Sequence, residues 1–141
     1  MVPAIKQAKF KQRIKVPAKP SEVYAAFVDP KKHSAFTGSK ATGRAKVNGN
    51  FTAWDGYISG KFLKLEEGKR IVQEWITTDF PEGYPPSHLE LTFAEVEGGT
   101  EILMVHSNVP AEQVKELKEG WNEFYWKPLE EYFKKRLKQH G

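Results

Sequence analysis

The chain contains no cysteine, which excludes disulfides and thiolate chemistry and makes a cytoplasmic address the default expectation. It also lacks any apolar run near the roughly 18 residues a membrane span needs. Its longest apolar pieces are as short as Tyr24 to Val28 and Ile102 to Val105. The opening stretch MVPAIKQAKFKQ has no apolar leader segment and reads as a mature start. The histidines, His33, His88, His106 and His140, show neither an HExxH pattern nor any other close ligand spacing, so no metal site is expected. Gly-x-Ser-x-Gly, a P-loop and GxGxxG are all missing. No carboxylate pair can be placed across a cleft from the sequence. Neither a cofactor nor a catalytic constellation is therefore expected. No nucleic-acid-binding motif accompanies the net charge of +4, so the basic balance reads as a solvated surface and no nucleic-acid partner is expected.

What remains is an ordinary globular composition. With 39% hydrophobic and 28% charged residues the chain suits neither disorder nor a fibre. Its 141 residues suit a single domain, 1–141, that buries about two thirds of its extended-chain surface and is expected to be a monomer.

Residues 5–16, IKQAKFKQRIKV, alternate. Ala8, Phe10, Ile14 and Val16 share one parity, and Lys9, Lys11, Arg13 and Lys15 share the other, which predicts a strand with one buried and one basic face. After Pro17 to Pro20, the segment SEVYAAFVDP places Val23, Tyr24 and Phe27 at helical spacing, with Ser21 as the expected cap. Asp29-Pro30 ends that helix and starts a short second one, because Asp suits an N-cap and Pro the first helical position; the second helix is expected to end near Phe36-Thr37-Gly38. From residue 40 to 108 the period becomes two and turn residues recur at short intervals, predicting strands near 41–46, 50–54, 57–66, 70–78, 87–96 and 100–108. A turn at Gly98-Gly99 would pair Phe93 with Met104 and Leu91 with His106, leaving Ile102, Met104 and His106 on the buried face.

The segment from Pro110 to about Lys138 carries six aromatic rings between Trp121 and Phe133. At 100° per residue, Val114, Leu117, Trp121, Phe124, Tyr125, Pro128, Leu129 and Tyr132 share one broad face, flanked by Trp126, Phe133 and Leu137. Such a face is too wide for a flat sheet and calls for a curved one. Pro128 is expected to bend this helix, and Gly120 weakens it by about 1 kcal/mol relative to alanine. The element order implies an α+β fold: a seven-stranded, curled antiparallel sheet around a long C-terminal helix, with two short helices between strands 1 and 2.

The segments GNFTAWDGYISGKFLKLEEGKRIVQEW (49–75), DFPEGYPPSHLELTF (79–93), GGTEILMVHSNVP (98–110) and GWNEFYWKPLEEYF (120–133), in that order, resemble the activator of Hsp90 ATPase family of the START-like, helix-grip superfamily. The resemblance implies a helix-grip fold with a cavity between sheet and helix, used by members of the wider superfamily for lipids, hormones, polyketides and other apolar molecules. It also implies a possible partner of the Hsp90 type, since the eponymous activators stimulate that chaperone's ATPase; in them a separate N-terminal domain, absent from this sequence, precedes this one.

Candidate cavity residues are Phe51, Phe62, Trp75, Leu91, Phe93, Met104, His106, Trp121, Phe124, Tyr125 and Leu129. Each ring taken singly reads as core, while together they could line a pocket for a hydrophobic or amphipathic small molecule or lipid. His106 reads first as a hydrogen-bonded structural residue and second as a ligand anchor. For a cavity-based enzyme, a cyclase or hydrolase, it is the best titrating candidate. The strip Lys9, Lys11, Arg13 and Lys15 could steer an acidic partner, and Tyr84, in the proline-rich FPEGYPPS connection, is either a rigid hairpin element or a partner contact.

Overall fold

The structure, a computed structural model, describes residues 6–140, the side chains of 137–140 excepted. Ile5 and the side chains of Leu137 and Lys138 thus lie outside the described residues. Strands β1 (Gln7–Val16), β2 (Thr42–Gly43), β3 (Asn50–Ala53), β4 (Ile58–Glu66), β5 (Arg70–Thr77), β6 (Ser87–Val96) and β7 (Gly99–Pro110) form one antiparallel sheet in the order β1-β7-β6-β5-β4-β3-β2. Helices α1 (Pro20–Val28) and α2 (Pro30–Thr37) carry the chain from β1 at one edge to β2 at the other. The alternation in β1 resolves as read: Phe10 and Val16 are buried while Lys9, Lys11, Arg13 and Lys15 are exposed.

Strand β2 is only two residues long instead of the six expected. Its continuation, from Arg44 to Asn48, is exposed throughout, so no buried face holds it in the ladder. The β6–β7 pairing is also shifted from the expected register: Phe93 faces Ile102, Leu91 faces Met104 and Leu89 faces His106. The reversal is made at Glu97-Gly98, where Gly98 has φ 82°, and Gly99 already sits in the ladder opposite Val96. There Gly99 touches the neighbouring strand, and an added Cβ would lie 2.0 Å from the Val16 carbonyl oxygen. The shift is by two residues, which preserves parity, and Ile102, Met104 and His106 remain buried.

In helix α1 the N-cap position falls on Lys19, which makes no side-chain cap bond, with Pro20 at the first helical position; Ser21 is not the cap. In α2 the Asp29 side chain accepts a hydrogen bond from the Lys31 N–H at 2.9 Å, and Gly38 closes the helix with φ 78°. Asp29→Ala is expected to cost about 1 kcal/mol in urea unfolding.

The C-terminal helix is not uniform. A 3-10 turn (Ala111–Gln113) leads into α3 (Val114–Trp121), a π turn (Asn122–Trp126) and α4 (Lys127–His140). In the π turn the Lys127 N–H reaches back five residues to the Asn122 carbonyl. Pro128 accounts for its position, because the ring has no N–H to give and crowds the carbonyl four residues earlier. The extra residue in the turn alters which side chains face inward. Trp126, expected at the flank, is buried at 4% exposure, and Phe124, expected on the inward face, is 54% exposed. Trp121, Tyr125, Leu129 and Phe133 point into the sheet. Trp121 stacks on Trp75 of β5 and on Trp126, while Phe27 of α1 stacks on Tyr125.

Candidate functional site

Between the β3–β4 hairpin and the C-terminal helix lies a cleft of about 420 Å³. Ile58 of β4 with Trp75 and Thr77 of β5 form its floor. The helix wall is built from Leu117, Gly120, Trp121, Phe124 and Tyr125, and the rim carries Asp79, Gln113 and Glu116. Gly120 contributes no side chain, and a Cβ built there would meet only Phe124, at 3.9 Å. That gap in the wall widens the cleft.

The opposing wall is the hairpin loop with Trp54 and Tyr57. Trp54 and Asp55 both have left-handed backbone conformations, with φ 52° and 55°. The Gly56 N–H closes the turn onto the Ala53 carbonyl. A bulky residue in that region is strained by about 1–3 kcal/mol. The conformation carries the Trp54 indole to Phe124, edge to face, with ring centroids 5.3 Å apart. The buried Trp54 Nε1–H has no hydrogen-bond partner.

Both back-wall residues turn their polar atoms away from the cleft. Tyr125 donates its O–H to His33 Nε2 at 3.1 Å, and His33 Nδ1–H donates to the Phe27 carbonyl at 3.3 Å. Trp121 donates its indole N–H to His106 Nδ1 at 3.2 Å, so the His106 proton resides on Nε2 and is donated to Ser87 Oγ at 2.8 Å; that hydroxyl donates to the Trp75 carbonyl. A carbonyl and an indole N–H fix these tautomers, and both imidazoles are neutral. Burial lowers His33 to about 4, against the opposing effect of the Phe27 carbonyl, and lowers His106 to about 3, assisted by His88. Burial likewise raises the Tyr125 phenol, offset in part by the Trp54 indole N–H, which nevertheless falls outside hydrogen-bonding geometry. The Tyr125 hydroxyl and the Trp121 N–H are therefore both engaged away from the cleft.

At the rim, Tyr57 donates to Asp79 Oδ2 at 2.7 Å, and Gln113 donates to the Asp79 carbonyl at 2.9 Å, tying the loop after β5 to the start of the helix. Burial raises the Tyr57 phenol, and the charges of Asp79 and Glu116 add to the effect, with Thr77 opposing it.

Of the residues expected to line a cavity, Trp75, Trp121, Phe124 and Tyr125 line this cleft. Phe51 lies beside a void of only about 10 Å³ behind it. Phe62, Leu91, Phe93, Met104 and Leu129 fill the core, and His106 is fully buried with both nitrogens bonded to protein, which leaves it no atom for a ligand. Tyr84 is also buried: its ring packs on Phe80 and its hydroxyl donates to the Asn108 carbonyl, so it is a hairpin anchor and not a surface contact. The strip of Lys9, Lys11, Arg13 and Lys15 is exposed, and Arg13 pairs with Glu101 at 3.3 Å.

Sequence reasoning missed His33, Tyr57, Asp79, Gln113 and Glu116. A signal for His33 was present, because it lies three residues before Phe36 on the inward face of α2, where it meets that ring. Nothing local announced the rim, which is assembled from three distant parts of the chain.

Residues 17–134 match the family described as Activator of Hsp90 ATPase homolog 1-like protein. The chain belongs to this family. Activator of 90 kDa heat shock protein ATPase homolog 1 from Homo sapiens is 33% identical over 114 residues, covering 81% of this chain and 33% of that protein. The Dictyostelium discoideum homolog is 31% identical over 121 residues, 84% of this chain and 30% of its own length. The chain thus spans about a third of the curated relatives it matches. Among solved structures, an HSP90 activator from Plasmodium falciparum superposes with a TM-score of 0.76 at 26% identity, covering 83% of this chain and 89% of that one. The Aha1 dimer from Colwellia psychrerythraea, with TM-score 0.72 and 19% identity over 87% of this chain and 96% of that one, shows the shared fold. These activator-family likenesses agree with the helix-grip architecture, a curved seven-stranded sheet closed by a long C-terminal helix. No helix among the described residues is long and apolar enough to cross a membrane.

Proposed function

We propose that this member of the activator family is a non-enzymatic binding module that holds an amphipathic small molecule in the cleft between the β3–β4 hairpin and the π turn. The observation that carries this reading is the cleft itself: about 420 Å³ of aromatic-walled space with Asp79, Gln113 and Glu116 at its rim. Pockets of this size, with apolar walls and a few polar groups, suit small ligands. An enzymatic role has less support, because neither buried histidine bonds to a carboxylate and the nitrogens of both are already bonded to protein.

Gly120 provides the test. Gly120→Ala is expected to stabilise the chain by about 0.5–1 kcal/mol, since the position is helical and has room for a methyl group. Gly120→Phe should fill the cleft while the fold persists. Titrating a library of amphipathic fragments should move the Trp54 and Trp121 indole N–H resonances in the parent chain and leave them unmoved in Gly120→Phe. A library that moves neither resonance in the parent chain rejects the reading.

A second reading is favoured by the relatives, which are named as activators of the Hsp90 ATPase. Here the exposed basic face of edge strand β1 meets an acidic surface of an Hsp90-type chaperone. Binding to the chaperone of the same organism is then expected to weaken as salt rises and on charge reversal of Lys9, Lys11 and Lys15. Affinity indifferent to both would remove β1 from the interface.

A further inference from the structure

The charges around the cleft differ in sign from those of the molecule. The chain carries 22 Lys and Arg against 18 Asp and Glu, yet the residues lining the cleft include two carboxylates, Asp79 and Glu116, and no lysine or arginine. Asp79 accepts from the Tyr57 hydroxyl, and its carbonyl accepts from Gln113, about one helical turn before Glu116, which places both carboxylates at the same end of the cleft. Asp79 uses Oδ2 to accept from Tyr57, and among the described residues neither Asp79 Oδ1 nor Glu116 has a hydrogen-bond or ion-pair partner. The imidazoles behind the back wall are neutral. The walls present aromatic rings: the floor offers Trp75, and Trp54, Trp121 and Phe124 stand around it.

We propose that the cleft selects an organic cation, an ammonium group carried on an apolar body, with the rings of Trp54, Trp121 and Phe124 receiving the apolar part and the near methylenes while Asp79 and Glu116 face the charge. Ring faces are the negative part of an aromatic quadrupole and attract a partly desolvated ammonium. Carboxylates at the rim add a coulombic attraction that a neutral alcohol lacks and an anion would oppose.

This inference rests on the cleft being a ligand site, and the test separates the two. Three probes share one body: phenylbutyl trimethylammonium, phenylbutanol and phenylbutyrate. Each is titrated into the isotope-labelled chain while the Trp54 and Trp121 indole resonances are followed, with the backbone amides of β1, near the sheet edge remote from the β3–β4 hairpin, as reference. The ammonium probe is expected to bind about tenfold more tightly than the alcohol, and the carboxylate most weakly. The double variant Asp79→Asn/Glu116→Gln, both exposed positions, should bring the ammonium and the alcohol to similar affinity while the β1 amides stay in place. Alcohol or carboxylate binding as tightly as the ammonium overturns the cation and leaves the cleft as a site. A preference that survives in the double variant overturns the role of the carboxylates. If no probe moves Trp54 or Trp121, both the inference and the reading beneath it fail.

Discussion

Replacing His106 by alanine is expected to lower the unfolding free energy by about 3–5 kcal/mol, a large fraction of what a domain of this size possesses. Two terms add. Removing a fully buried imidazole leaves a cavity among Phe10, Trp75 and Trp121, whose rings surround it at 5.4, 4.7 and 5.9 Å. The Trp121 indole N–H is also left without an acceptor in the core, at a cost of about 1–3 kcal/mol. His106 links β7 to β6 through Ser87 and to the C-terminal helix through Trp121, so the loss should reach the helix as well as the sheet. Urea unfolding measures the total. Amide exchange along residues 114–126 should accelerate in the variant, and a loss below about 1 kcal/mol would contradict the relay.

Stability should also fall steeply on mild acidification. An imidazole titrates near 6.5 in the unfolded chain, whereas burial holds His33 at about 4 and His106 at about 3 in the fold. Between those values the unfolded chain binds more protons than the folded one, so stability rises with pH there. The contribution is complete above about pH 6.5 and is lost as pH falls toward about 4 for His33 and about 3 for His106. Each histidine supplies a slope of up to about 1.4 kcal/mol per pH unit, and the pair about 2–3 kcal/mol between pH 6 and 5, where carboxylates contribute little. His33→Gln and His106→Gln should each remove close to half of that slope. Equal unfolding free energies at about pH 6 and 5 in the parent chain would show that the imidazoles titrate normally.

The sheet and its grip on the last helix were legible because both follow from periodicity. The alternation of Phe10 and Val16 with the lysines of β1 needs only the pleat to interpret. Asp29-Pro30 and Gly38 mark the ends of α2 by backbone geometry that local residues decide. Features that depend on distant packing were not legible. Two adjacent glycines permit more than one hairpin register, and the close approach of Gly99 to Val16 on another strand selects the observed one. Pro128 indicated a bend but not its form, so the interchange of Phe124 and Trp126 was invisible to a uniform 100° step. The cleft was the least accessible feature. Its strained tryptophan sits in a hairpin loop, and Asp79 and Glu116 converge only after the chain has crossed three elements. His33 and Tyr125 hydrogen-bond across 92 positions of sequence.

The most direct measurement is a set of intermolecular proton contacts in solution between the tightest of the three phenylbutyl probes and the isotope-labelled chain. Contacts from the probe to the rings of Trp54, Trp121 and Phe124, with none in Gly120→Phe, are the predicted result. Contacts confined to the exposed groove between α2 and α4, at Thr37 and Tyr132, or persisting unchanged when position 120 is filled, would contradict a ligand site beneath the π turn.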